Sequence, residues 1–478
     1  MNEQKSIIQI STKTFISVLI ILFALLLSAG VLTYLVPAGE YLRDLDGTII
    51  PDSFSYLSGV GGYPVWRWLT APFEVLGSTD GITIIMISLF LLILGGTFTV
   101  MDKTGGITVI IKRLVTRFKA KKYTLLRLVV LVFMSFGAFF GIFEESIALL
   151  PIMILLSLSL GWDTLVGVGM TLLAAGFGFA SAITNPFSVG IASEIAGVNI
   201  LSGALYRVFI FLIMYGLLST FLVRYAKKIE KDPSKSPMYE EDFKKNKNFD
   251  MMNEIHYDNE KTIFKTYTTM FVVLLVFVIG ISLLELLGIV EIPAIPVIAL
   301  TFLIGGIVSG IIVTKQPKQT LKIFGNGVLG VAPAILLIML AASVKFIITQ
   351  GQIMDTILYY LAGVLTNQSA IVGILLIYAL VLIVQFFIGS ASAKAILIIP
   401  LLIPLVSLVG ISKELAILAF VFGDGYTNVI FPTNAVLLIG LSIASVSYTK
   451  WFKWTAVLQL ITLVLTVGLL LLALAIGY

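Results

Sequence analysis

Apolar runs of membrane-crossing length recur along this chain, and two pairs of them are interrupted at matching places. The first interrupted stretch is FGIFEESIALLP (Phe140 to Pro151), followed by FASAITNPF (Phe179 to Phe187). The second is IGSASAKAILIIP (Ile388 to Pro400), followed by FGDGYTNVIFPTN (Phe422 to Asn434). Glu145 precedes Pro151 by the same distance as Lys394 precedes Pro400, and Phe179 leads to Thr184-Asn185 as Phe422 leads to Thr427-Asn428. Hydrocarbon offers no hydrogen bonds, so such a chain must fold into helices, and a broken helix survives only where protein or a watery cavity satisfies its backbone. Paired interruptions at corresponding positions of two halves point to the binding site of a secondary transporter.

Composition agrees with lipid as the solvent. The 478 residues are 59% hydrophobic and 12% charged, with mean hydropathy +1.07. Soluble chains carry about 25% charged residues. The net charge of +5 does not indicate nucleic acid, because most Lys and Arg lie in short loops beside apolar spans. There is no cysteine, which excludes disulfides and thiolate metal sites. The single histidine, His256, lies in a polar loop and reads as solvated. The first apolar run, 15–36, is too long for a signal-peptide core and reads as a permanent helix.

Further runs fall at 82–101, 124–140 with 144–158, 163–181 with 187–198, 204–225, 268–288, 292–313 and 329–349. The last group is 369–388 with 395–410, then 415–446 with a break near 424–433, then 455–476. A full crossing needs about 20 residues, and several pieces are too short at corresponding places in both halves. The excess of positive charge on cytoplasmic loops sets orientation. Lys5, Lys13, the basic cluster Lys103–Lys122 (with Lys119), the loop from Arg224 to Lys265, Lys315–Lys322 and Lys450–Lys453 fall inside. Arg43, Arg67, Arg207 and Lys413 fall outside. The N-terminus is then cytoplasmic and the C-terminus external, in a multi-pass protein of the inner (cytoplasmic) membrane. Arg127 and Lys345, near helix ends, read as snorkelling.

The connector Ile107–Tyr123 is rich in Lys and Arg, whereas its counterpart Ile353–Ala370 has neither. The two therefore belong on opposite faces, and the halves read as inverted repeats. The expected fold is an all-α polytopic membrane protein of two inverted repeats, each with a re-entrant hairpin and an unwound transmembrane helix. The divisions are an N-terminal helix and external segment (1–81), a first repeat (82–225), a solvated cytoplasmic linker (226–265), scaffold helices (266–328) and a second repeat (329–478).

The two hairpin tips read Glu144-Glu145-Ser146 and Gly389 to Lys394, the latter including Ser390 and Ser392. In the partner helices, Pro186 opens the helical ladder, and Gly423 and Gly425 permit an unwound turn. Exposed half-helix N-termini suit a carboxylate, while unwound carbonyls suit a cation. Thr184, Asn185, Thr427, Asn428, Thr433 and Asn434 add neutral donors and acceptors; the plainer reading is that they tie helices together. For Glu144, Glu145, Lys394 and Asp424 the plainer reading is a structural ion-pair network. A charge at the bilayer centre costs at least about 2.5–3.5 kcal/mol, which favours a functional role for them. Three carboxylates against one ammonium favour a cationic group on the substrate, or a coupling cation or proton. No cofactor is expected, and a metal site is not assigned. Gly176-Phe-Gly178 reads as close helix packing.

FGIFEESIALLP, GFGFASAITNPFSVGIASEIAGV and DGYTNVIFPTNAVLL, with LVPAGEY (Leu35 to Tyr41), resemble the YfcC family. That family belongs with the four-carbon-dicarboxylate anaerobic carriers and ArcD-type basic amino acid antiporters, in the ion transporter superfamily. The resemblance runs over nearly the whole chain. It implies an elevator mechanism, in which two hairpins and two unwound helices carry substrate past a scaffold, commonly in a homodimer. Sodium-using members of the superfamily carry Ser-Asn-Thr at both hairpin tips, where this chain has Glu-Glu-Ser and Ser-Ala-Ser-Ala-Lys.

The expected function is secondary active transport of a small carboxylate-bearing solute, with arginine or ornithine the leading substrate and exchange a plausible mode. The alternative is a four-carbon dicarboxylate or other organic anion, coupled to sodium or protons. An intramembrane enzyme is disfavoured because His256 is in a soluble loop, no HExxH is present and Asp424 has no partner aspartate in an apolar span. A channel would show a continuous polar stripe rather than two gathered breaks.

Overall fold

A computed structural model describes residues 12–44, 49–50, 52–118, 121–243, 259–286, 294–363, 368–408 and 410–478. Lys5, Lys119, His256 and the middle of the expected linker lie outside the described residues. Six described helices are long and apolar enough to cross a membrane: Gly81–Lys103, Lys122–Phe140, Ala204–Lys231, Pro296–Thr314, Ala370–Phe387 and Tyr448–Ala475. A seventh span results if Pro317–Val331 and Ile335–Gln350, bent by 41°, count together. The entering arm of each expected hairpin is thus long enough to cross.

We label the helices in chain order: α1 (Thr12–Leu35), α2 (Val65–Glu74), α3 (Gly81–Lys103), α4 (Gly106–Phe118), α5 (Lys122–Ser135), α6 (Leu150–Ser159), α7 (Thr164–Val168), α8 (Ala174–Ala180), α9 (Ile191–Ala196) and α10 (Ala204–Lys231). There follow α11 (Glu260–Leu286), α12 (Ala294–Thr314), α13 (Pro317–Val331), α14 (Pro333–Gln350), α15 (Met354–Gly363), α16 (Ala370–Phe387), α17 (Ala391–Leu408), α18 (Lys413–Gly425), α19 (Ala435–Ala444) and α20 (Tyr448–Ala475). A short antiparallel ribbon, Gly39–Glu40 with Ser55–Tyr56, is the exception to the all-α expectation.

The helices pack in two groups. In one, α3 lies against α12 and α13, α1 against α14, and α11 against α12. In the other, α5 lies against α8 and α10, α16 against α18, and α17 against α9 and α18. The apolar runs leave out 314–328, within the expected scaffold helices, because α13 carries Lys318 and Lys322 in its first turns; the helix has Pro317 at its first position, where a missing N–H costs nothing.

The two connectors sit at opposite ends of α3. Its first turn approaches α14 near that helix's end, where Lys345 Nζ lies 2.7 Å from Asp80, so Lys345 is paired rather than merely snorkelling. Beyond it α15 is clamped by the ribbon segment: Arg43 pairs with Asp355 at 2.8 Å, Tyr41 N–H donates to the same carboxylate at 3.0 Å, and Phe54 stacks on Tyr359 at 4.2 Å. At the far end of α3, roughly 34 Å away for 23 residues, α4 meets the start of α11 through Lys112–Glu260 at 3.0 Å. Beside the ribbon, Arg67 and the Tyr63 and Thr70 hydroxyls hold the Glu74 carboxyl down at about 2.

The expected linker departs from its reading as wholly solvated. Met238 and Asp242 are buried, and Asp242 accepts hydrogen bonds from the Thr164 amide and hydroxyl at 2.7 and 2.5 Å. Asp163, the N-cap of α7, accepts from Ser236 and Tyr225 hydroxyls, each at 2.6 Å. Two carboxylates therefore bind the segment after α10 to the tight α6–α7 turn, because a buried carboxylate needs several donors to replace water.

Candidate functional site

The two broken helices cross at backbone contact. A Cβ added to Gly425, in the last turn of α18, would lie 2.1 Å from Ala180 Cα at the end of α8; one on Gly176 would meet Val429 at 2.4 Å. Phe143 of the first hairpin leans on Phe179, ring centroids 6.4 Å apart. The two breaks thus share one neighbourhood.

The first break is as the sequence predicts: α8 stops at Ala180, and the chain resumes helical turns at Pro186. The second falls in the later part of the expected stretch near 424–433. Gly423 and Gly425 are helical, and their smallness serves packing against Val381 and Ala180 instead of unwinding. The unwound stretch is 430–434, after a 3-10 turn at Tyr426–Val429. Gly425→Ala is therefore expected to force two backbones apart and abolish a folded, monodisperse protein in size-exclusion chromatography. Gly423→Ala meets the Val381 side chain at 2.6 Å, with the nearest facing backbone atom, Leu382 N, at 3.4 Å, and should cost about 1–3 kcal/mol.

The asparagines close the restarts. Asn185 Oδ1 accepts from the Phe187 and Ser188 amides at 2.9 and 3.3 Å, and its Nδ2 donates to Gly137 O at 3.2 Å, reaching the first hairpin. Gly141 has φ +69°, and a Cβ there would lie 2.6 Å from Asn185 Oδ1. Asn434 Oδ1 caps the Leu437 amide at 3.1 Å, and its Nδ2 donates to Asn428 Oδ1 at 2.8 Å. Gln385 of the second hairpin donates to the same oxygen at 2.7 Å. By role, the partner of Asn185 is Asn434, not Asn428 as equal spacing from phenylalanine suggested. Thr184 Oγ1 donates to Phe139 O at 3.1 Å, and Thr427 Oγ1 to Gly423 O at 2.8 Å. Thr433 is half-buried.

Lys394 and Asp424 meet at 2.5 Å, and both side chains are 0% exposed. Among the described residues, neither side chain has another hydrogen-bond partner. Lys394 stands in the first turns of α17 and Asp424 in the last turn of α18, so each charge faces the wrong end of its helix dipole. Ser390 Oγ accepts from the Ala393 amide at 3.4 Å and is exposed; Ser392 is half-buried in α17.

Glu144 and Glu145 open a 3-10 turn, Glu144–Leu149, and both are half-buried. Glu144 lines a crevice of about 10 Å³ with Ile87, Phe90, Leu91 and Leu94 of α3 and Val436 and Ile439 of α19. It therefore faces the boundary between the two helix groups. Ser146 is buried, its hydroxyl donating to Phe143 O at 2.6 Å. Sequence reasoning missed Arg207 here. Buried in α10, it donates to Ile183 O of the first break at 3.1 Å, and to Ser202 O at 2.8 Å and Ile200 O of the α9–α10 connection. Its sequence signal was a lone arginine in an apolar run.

Broken helices crossing inside a polytopic bundle, with charges retained at the crossing, define a membrane transport protein rather than an enzyme. The chain belongs to the DcuC family of C4-dicarboxylate anaerobic carriers, whose family model matches residues 15–475. It is 30% identical over 481 residues to YfcC of Escherichia coli (strain K12), provisionally named a basic amino acid antiporter, with 92% of each chain covered. An uncharacterised protein of Haemophilus influenzae is 29% identical over 390 residues, covering 81% of this chain and 74% of that one. Among solved structures, the Alcanivorax borkumensis YdaH transporter matches with TM-score 0.44 and 17% identity, over 97% of this chain and 98% of that chain.

Proposed function

We propose that this protein is a secondary active carrier of a small carboxylate-bearing solute, a basic amino acid such as arginine or ornithine, working by exchange. The observation that carries this reading is the Lys394–Asp424 contact: with that pair mutually neutralised, the acidic tip Glu144-Glu145 offers two half-buried carboxyl groups near the breaks. An α-ammonium or guanidinium would meet those carboxylates, and the substrate carboxylate would meet the half-helix starts at Pro186 and Ala435. Ser146, Ser390, Ser392, Thr184, Thr427 and Thr433 would supply neutral contacts, with Asn185, Asn428 and Asn434 shaping the walls.

The transporting body in this proposal comprises the two hairpins and the two broken helices, sliding past the α3, α12, α13 and α14 group in a homodimer. The placement of α4 and α15 at opposite ends of α3 favours inverted repeats, with the basic α4 face cytoplasmic, the N-terminus inside and the C-terminus outside. A coupling ion, sodium or proton, is compatible with the acidic first tip.

Counterflow in proteoliposomes tests the substrate. Vesicles loaded with unlabelled arginine should accumulate labelled arginine or ornithine, and vesicles loaded with a four-carbon dicarboxylate should not accumulate their own label. The family's dicarboxylate description favours the second reading, with Lys394 as the anion's anchor. Dicarboxylate exchange without arginine exchange replaces the first reading by the second. Conductance without saturation would make the protein a channel.

A further inference from the structure

We propose that the outer face of α11 and α12 seats one acyl chain of an anionic phospholipid, with the lipid phosphate held by Lys265. A groove of about 710 Å³ runs between these two helices, lined by Lys265, Thr266 and Thr269 at one end and by Phe277 and Val297 at the other. Cavities that enclose small ligands measure about 300–1,000 Å³. From Lys265 to Phe277 the helical rise is about 18 Å. Half of the hydrocarbon core is about 15 Å, so the groove spans one leaflet with a cation at its rim.

Its walls are apolar and turned outward: Val273, Phe277, Leu300, Ile304 and Ile312 are all exposed large hydrophobics. The floor is cut low by Gly305 and Ser309 of α12, and Gly305 lies directly under Met270. The rim is basic. Lys265 is exposed and, among the described residues, has no carboxylate within ion-pair distance. The nearest acid on its helix, Glu260, is already taken by Lys112, and Arg113 is stacked over Phe264 at 4.0 Å. Because α11 begins where α12 ends, exposed Lys261 and Lys315 stand at the same end. Thr269, one turn along from Lys265, offers a hydroxyl to the ester region. An exposed ammonium above an apolar slot matches a phosphate above an acyl chain. Zwitterionic lipid lacks the net charge to compensate it, and basic pockets between transmembrane helices bind acidic head groups.

Native mass spectrometry of the full-length protein, in mild detergent with added dioleoyl phosphatidylglycerol or dioleoyl phosphatidylcholine, tests this. The wild type should retain the glycerol lipid at least about fivefold better, and Lys265→Glu should lose that preference. Ile304→Trp, which fills the slot from an exposed position, should lose retention of both lipids. If either variant fails to fold, the other decides. Equal retention of both lipids by the wild type, or phosphatidylglycerol binding unchanged in the variants, overturns the proposal. A lipid-free wild-type dimer that Ile304→Trp dissociates also overturns it, making the groove a contact between two copies of the chain.

Discussion

Lys394→Met should destabilise the protein by about 3–5 kcal/mol, because it strands the Asp424 carboxylate in a fully buried site where, among the described residues, no other side chain donates to it. The double change Lys394→Met with Asp424→Asn should recover most of that loss, and can exceed the wild type by about 1–4 kcal/mol, since two desolvated charges vanish together. Two further terms favour recovery: the ammonium sits at a helix N-terminus and the carboxylate at a helix C-terminus, each disfavoured by about 0.3–1 kcal/mol. Thermal unfolding in detergent reads the stability, and counterflow reads transport. The expected result is a double variant that is stable yet inert. If the double variant transports normally, the pair is only structural; if the single variant melts like the wild type, the ion pair does not form.

Asn428→Ala carries the second large effect. Its side-chain oxygen is the shared acceptor for Gln385 of the second hairpin and for the cap residue Asn434. Removing it orphans two buried donors at about 1–3 kcal/mol each, so the loss is on the order of 2–6 kcal/mol. Asn428→Gln keeps a neutral carbonyl acceptor without adding a charge and should retain more stability. Chemical denaturation of the purified variants separates the two cases. Equal loss in both would mean that the oxygen is not what holds the hairpin to the broken helix.

These residues also show how far the chain could be read in advance. Pro186 after Thr184-Asn185 located the first break because proline lacks the amide that a continuing helix needs and suits the first position of the helical turns that resume there. Gly423 and Gly425 misled, because glycine marks both unwound backbone and close approach, and only the facing chain at Ala180 and Val381 tells these apart. The second half offered two Thr-Asn pairs; spacing selected Asn428, whereas capping geometry selects Asn434. Lys394 and Asp424 were singled out by their cost in lipid, but their union depends on how α17 packs on α18, which no local pattern encodes. Arg207 escaped because its partners are carbonyls, and carbonyls leave no mark on a sequence. The docked part of the linker was hidden for a similar reason: Asp242 resembles any solvated acid until Thr164 is found beneath it.

That anchorage has a mechanical corollary. With Asp242 fastened beside the α6–α7 turn, the segment after α10 belongs to that helix assembly as far as Phe243. Any displacement of that assembly in the proposed carrier would take residues 236–243 with it, and Asp242→Ala should free them, read as faster amide hydrogen exchange there with the helices unchanged.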